Sequence, residues 1–128
     1  MNKTIFLIDD DSILRLIVEM TMKKVDDTLS FIQCENGKIG LEKLNEHFQG
    51  ESSNFIVLLD LNMPVLDGWG FLDTIQADHS NTYKNMSLYI LSSSTDRVDI
   101  EKSKQYSFVK NFYHKPLSIV EINEILNS

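Results

Sequence analysis

The chain has 128 residues, 42% of them hydrophobic and 24% charged, with a single cysteine and a net charge of −7. That length suits one domain with a core large enough to fold without a structural metal, and the lone Cys34 excludes a disulfide scaffold. The acidic balance, with no basic run longer than Lys23-Lys24, argues against direct nucleic-acid binding, and no apolar stretch approaches the ~20 residues that cross a bilayer.

The first apolar run, Thr4–Ile8, reads as a strand and leads straight into Asp9-Asp10-Asp11. It is too short for the apolar stretch of a secretory signal, so a cytoplasmic protein is expected. A helix is predicted over about residues 12–24, with Leu14, Ile17, Val18 and Met22 on one side and Ile13, Leu16 and Met20 widening the stripe. Residues 31–34 form the second apolar run. A helix over about residues 38–49 aligns Leu41, Leu44 and Phe48 and stops at Gly50. The third run, Phe55–Leu59, ends in Asp60. A third helix, over about residues 66–78, sets Trp69, Leu72 and Ile75 three apart. The fourth run, residues 88–91, passes into Ser92-Ser93-Ser94-Thr95, and a largely polar helix is predicted over about residues 95–106. The fifth run, Val109–His114, ends in Lys115-Pro116. Ser118-Ile119-Val120-Glu121 then opens a fifth helix with a capping-box pattern. Residues 50–54 and 79–87 read as polar loops. Gly40 and Gly70 fall inside predicted helices, where each lowers helix propensity by ~1 kcal/mol relative to alanine.

Five strands alternating with five helices imply an α/β fold with a parallel sheet covered on both faces. Runs one, three and four are nearly continuous apolar segments, as central strands are, whereas runs two and five carry Gln33, Lys110, Asn111 and His114. The expected strand order is therefore 2-1-3-4-5, the flavodoxin-like doubly wound (βα)5 arrangement, with a site at the C-terminal ends of strands one and three. Asp9, Asp10 and Asp60 would converge there. Two carboxylates ~4 Å apart repel by about 4 kcal/mol at an effective dielectric near 20. A hard divalent cation relieves that repulsion, and Mg²⁺ suits one or two carboxylates plus a phosphoryl oxygen. Strand four adds hydroxyls and strand five adds the Lys115 ammonium. With no glycine-rich phosphate loop, a bound nucleotide is not the expected phosphoryl donor.

These residues in this order resemble the receiver domain of two-component response regulators, the CheY-like family. The resemblance rests on Asp9-Asp10, Leu59-Asp60-Leu61-Asn62-Met63-Pro64 with Asp67-Gly68, Ser92, and Lys115-Pro116, and it covers residues 1–128 as one domain. It implies that Asp60 is the phosphoacceptor. Asp10, Asp60 and the backbone carbonyl of Asn62 would bind Mg²⁺, with Asp9 acting through water. Lys115 and Ser92 would contact the phosphoryl group, serine standing where threonine is commoner, and the Lys115–Pro116 bond would be cis. Asn62 and Ser94, two residues past Asp60 and Ser92, would tune the lifetime of the aspartyl phosphate. Phe112 stands where the family often has a tyrosine that turns inward on activation. The implied protein is a signalling switch rather than an enzyme. It would take phosphate from a sensor histidine kinase or histidine phosphotransfer protein and present its helix 4–strand 5–helix 5 face to a downstream protein.

Plainer readings apply to several residues. Asp11 reads as a helix N-terminal carboxylate, Asp67-Gly68 as turn punctuation, and Cys34 as a small buried hydrophobe. Trp69 reads as core or a half-buried helix residue. His47, His79 and His114 lack metal-ligand spacing. Two other classes of function remain: a phosphorylation-independent scaffold, and a Mg²⁺-dependent aspartate phosphatase. Such phosphatases carry a second aspartate two residues after the nucleophile, where this chain has Asn62.

Overall fold

The computed structural model describes residues 3–47, 54–78 and 83–127. Its elements are β1 (Thr4–Ile8), α1 (Ser12–Val25), β2 (Ser30–Cys34), α2 (Gly37–His47), β3 (Phe55–Leu59), α3 (Gly68–Ala77), β4 (Met86–Ser92), α4 (Arg97–Ser103), β5 (Val109–His114) and α5 (Ile119–Leu126). All five strands are parallel, in the order β2-β1-β3-β4-β5. The expected doubly wound order is therefore the observed one.

The central strands are apolar throughout because successive side chains feed two different cores. Ile5 and Leu7 of β1, Ile56 and Leu58 of β3, and Tyr89 and Leu91 of β4 point toward Val18 and Met22 of α1 and Ile122 and Ile125 of α5. Their neighbours Phe6, Ile8, Phe55, Val57, Leu59, Leu88 and Ile90 point the other way, into a core closed by Leu44 of α2 and Phe71, Leu72 and Ile75 of α3. A register irregularity between Leu88 and Tyr89 adjusts β5, so that Phe112 lies with the second group and Tyr113 with the first.

Several sequence-based boundaries are corrected. The broad apolar stripe of α1 is only partly used: Val18 and Met22 are buried, whereas Ile13, Leu16, Ile17 and Met20 are exposed. The sheet covers one narrow stripe of a helix, and hydrophobic residues beyond it stay in water. α3 begins at Gly68, not at residue 66, because Asp67 caps it by accepting the N–H of Gly70. β4 is longer than predicted, starting at Met86. α4 is shorter, because residues 104–106 donate to carbonyls three residues back and not four. Phe48, Gly50 and His79 lie outside the described residues, with most of both predicted loops. The capping box of α5 is present, with Glu121 N–H on Ser118 Oγ at 3.1 Å and Ser118 N–H on Glu121 Oε1 at 2.9 Å.

Gly40 sits in α2 despite its helix penalty because a Cβ there would come 2.7 Å from Ile8 Cδ1. Gly68 is tighter still, since a Cβ would lie 2.5 Å from the Asp60 carbonyl oxygen and 2.8 Å from Leu61 Cα. The start of α3 is thus packed directly behind the backbone of Asp60. No helix among the described residues is long and apolar enough to cross a membrane.

Candidate functional site

Three of the singled-out residues share one local construction. Asp9, Asp60 and Lys115 each stand one position past the end of a strand, and each N–H still bonds to the neighbouring strand. Asp9 N–H reaches Cys34 O at 3.0 Å, Asp60 N–H reaches Ile8 O at 2.9 Å, and Lys115 N–H reaches Ser92 O at 2.9 Å. β1 and β3 end level with each other, β4 and β5 run past them, and together these strand ends deliver two carboxylates and an ammonium to one place. The fourth residue, Ser92, closes β4 opposite His114 and is fully buried. The Lys115–Pro116 peptide bond is cis.

Asp9, Asp10 and Asp60 each contribute a carboxylate oxygen to a cluster whose members lie within 4.8 Å of one another. Asp9 and Asp60 are each only 6% exposed, whereas Asp10 faces solvent. The Lys115 ammonium lies 2.9 Å from Asp9 Oδ2 and 3.4 Å from Asp60 Oδ1. Backbone donors hold the same carboxylates, Asp11 N–H on Asp9 Oδ1 and Leu61 N–H on Asp60 Oδ1, both at 2.9 Å. The repulsion expected among the aspartates is thus already offset in part by Lys115. The offset is incomplete. Burial, followed by the charge of Asp9, pushes the Asp60 carboxyl up to about 6, against the lowering pull of Lys115 and the Leu61 N–H. Burial also pulls on the Lys115 ammonium, but the hydrogen bonds and charges of Asp9 and Asp60 outweigh it and raise that group. One ammonium faces three carboxylates, so the site retains excess negative charge. Its donors are all hard oxygens, a set that fits a divalent cation such as Mg²⁺.

The other sequence-predicted residues lie outside this carboxylate–lysine cluster. Asn62 is exposed on the loop after Asp60. Ser94 is half-buried and gives its N–H to Ser92 Oγ at 3.1 Å. Phe112 is half-buried on β5, with its ring 5.5 Å from the ring of exposed His114. Asp11 is the N-cap of α1, accepting from the N–H groups of Ile13 and Leu14. Cys34 is buried, and its thiol is pushed up to about 11 by burial. Trp69 is half-buried, stacked on Tyr106 and covered by the Lys102 ammonium 4.4 Å from its ring centre.

Sequence reasoning missed Arg15. Its guanidinium donates to the carbonyl of Asp9 and, through Nε, to Gln33 Oε1 at 3.2 Å, pinning the turn that presents Asp9 and Asp10. A charged residue on a helix reads as a solvated face, and only its position in the first turn after the aspartates could have signalled this role. Missed as well was Val65, held at φ 71° in the loop between β3 and α3.

The strand ends of this doubly wound sheet thus carry carboxylates, a buried hydroxyl and a paired lysine. Comparison with known proteins gives the family. Residues 5–127 match the response regulator receiver domain, and the chain belongs to that family. It is similar to hybrid signal transduction histidine kinase A of Dictyostelium discoideum, 28% identical over 97% of this chain but only 6% of that protein. It is also similar to the sensor histidine kinase CheAY of Helicobacter pylori, 29% identical over 89% of this chain and 13% of that protein. The probable chemotaxis protein CheY of Rhizobium etli is 25% identical over 97% of this chain and 89% of its own length. Among solved structures, a two-component response regulator from Cytophaga hutchinsonii superposes with a TM-score of 0.86 at 26% identity, covering 98% of this chain and 94% of the other.

Proposed function

We propose that the protein is a phosphorylation-activated switch whose acceptor is Asp60. The observation that carries this reading is the Asp60 carboxylate, buried beside Asp9 and within 3.4 Å of the Lys115 ammonium at the sheet's switch point. An oxygen of Asp60 attacks the phosphorus of a phosphohistidine. The P–N bond breaks and the phosphoryl group becomes an acyl phosphate on Asp60. Lys115 moves from carboxylate to phosphoryl oxygen without leaving the site, since it already bridges Asp9 and Asp60. The buried Ser92 hydroxyl donates to another phosphoryl oxygen.

Asp10, Asp60 and the backbone carbonyl of Asn62 would hold Mg²⁺, with Asp9 acting through water; bound there, the cation supplies charge neutralisation at the phosphoryl oxygens. Asn62 and Ser94, two residues past Asp60 and Ser92, set how long the acyl phosphate survives water. Phe112 rotates into space that Ser92 vacates, and the face of α4, β5 and α5 changes shape for a downstream protein. The phosphoryl donor is a sensor histidine kinase or a histidine phosphotransfer protein. The family membership and the kinase relatives support this choice. The setting is the cytoplasm.

The test is intact-mass measurement after incubation with acetyl phosphate and Mg²⁺. Wild type should gain one phosphoryl group and Asp60→Asn none, because asparagine keeps the shape but not the nucleophile. Equal labelling of the variant would place the acceptor elsewhere.

A further inference from the structure

We infer that Asp99 is a positioning residue that ties Ser92, through Ser94, to the first turn of α4, an inference that rests on the phosphoryl-switch reading of the same site. The Ser94 hydroxyl donates to Asp99 Oδ2 at 2.7 Å and accepts the N–H of Asp96 at 3.2 Å. Asp96 is the N-cap of α4, and Asp99 lies three residues on, in its first turn. In a capping box the carboxylate at that third position reaches directly back to the N-cap N–H, as Glu121 does to Ser118 at the start of α5. At α4 the two ends of the box are separated, and a hydroxyl from the preceding loop fills the gap. The N–H of that same serine donates to Ser92 Oγ.

The result is an unbroken hydrogen-bonded path from the fully buried hydroxyl that closes β4 to the head of a helix on the proposed output face. Its last link ends on a carboxylate, which is the stronger kind of hydrogen bond. Ser92 Oγ uses its lone pair on Ser94 and keeps its proton to donate. When Ser92 moves toward a phosphoryl group on Asp60, Ser94 is drawn with it, and the Ser94 hydroxyl carries the displacement to Asp99 and the N-cap. Without the Asp99 acceptor, Ser94 keeps only the longer 3.2 Å bond from the Asp96 N–H, and α4 follows Ser92 less closely. Asp99 touches none of the reacting atoms, and its effect is on transmission.

The experiment compares wild type, Asp99→Ala and Asp99→Asn by amide NMR and hydrogen exchange, each free and with Mg²⁺ and beryllofluoride, which mimics the phosphoryl group on an aspartate. In the free protein, Asp99→Ala should speed exchange of the Ser94 amide by about fivefold or more, and Asp99→Asn should stay close to wild type because its amide oxygen still accepts. Asp99→Ala should still bind beryllofluoride within about threefold of wild type, while the shift changes at residues 97–103 fall below about half and Asp99→Asn restores them. The inference is overturned if Asp99→Ala transmits like wild type, if Asp99→Asn behaves like alanine, or if beryllofluoride affinity falls in parallel with transmission. If wild type itself takes up no beryllofluoride, the phosphoryl-switch reading fails, and Ser94 exchange in the free proteins still decides whether the tie exists.

Discussion

Replacing Asp60 by asparagine should make the metal-free protein more stable, by an amount that depends on pH. In the fold the Asp60 carboxyl is pushed up to about 6 by burial and by Asp9, whereas in an unfolded chain an aspartate titrates near ~3.9. Folding therefore favours the protonated form. The stabilising contribution of that proton is complete below pH ~4 and is lost as pH rises through about 6. A difference of about two units corresponds to about 2–3 kcal/mol of destabilisation of wild type at pH 7.5. Asparagine carries no charge to desolvate, and its amide oxygen can still accept the Leu61 N–H and face Lys115. Urea unfolding in EDTA should thus show equal midpoints near pH 4 and a separation of about 1 M in favour of Asp60→Asn at pH 7.5. If the cluster takes Mg²⁺ as proposed, the cation should raise the wild-type midpoint more than that of the variant, because the ionised cluster exists only in the folded state. An Asp60→Asn protein that is no more stable than wild type at pH 7.5 without metal would refute this account of the site's charge.

Val65→Asn should stabilise the protein by about 1 kcal/mol in urea unfolding, since valine at φ 71° is strained and its side chain, 77% exposed, packs little. Gly68→Ala should cost about 2–3 kcal/mol, because its Cβ would meet backbone atoms of Asp60 and Leu61 that have no free rotor to move. Phosphorylation of the purified variant should fall with it. Tyr106→Phe should lose about 1 kcal/mol, the worth of the 2.6 Å hydrogen bond from its hydroxyl to Asp73, without changing phosphoryl uptake. Ser92→Ala should still take phosphate on Asp60 yet show only local NMR shifts with beryllofluoride, whereas Phe112→Tyr should spread its shifts to α4 as wild type does.

The ends of β1 and β3 were legible because strands buried on both faces are written as unbroken apolar runs, and an aspartate directly after such a run has one place to go. The edge positions of β2 and β5 were legible from Gln33, Lys110 and Asn111 for the complementary reason. Periodicity alone could not say which part of α1 meets the sheet. Ile13, Leu16, Ile17 and Met20 satisfy the helical pattern as well as Val18 does, and only the strand spacing beneath decides among them. The ends of α4 were not legible either, because Asp96, Ser94 and the tight turns after Ser103 fix them through local hydrogen bonds. The family resemblance implies Lys115 as a phosphoryl contact, but its pairing with both Asp9 and Asp60 depends on a distance that no sequence spacing states. Arg15 and Asp99 were hidden in helix surfaces where charge ordinarily means solvent.

The parallel ladder has a consequence for how the chain assembles. Thr4 aligns with Phe55, and the acidic pair meets Asp60 only once that distant pairing is made. Lys115 arrives by a separate event, the pairing of β5 with β4 at the far side of the sheet. A half-formed sheet of β2, β1 and β3 would therefore gather carboxylates before any ammonium reaches them. Such a partial sheet is frustrated by its own charge, and the relief comes only with the docking of β5. Sequence-distant pairing already makes folding slow, and here electrostatics adds a reason for the sheet to close cooperatively. The same arrangement that poises the finished site to receive a cation penalises any state in which the site is only partly built.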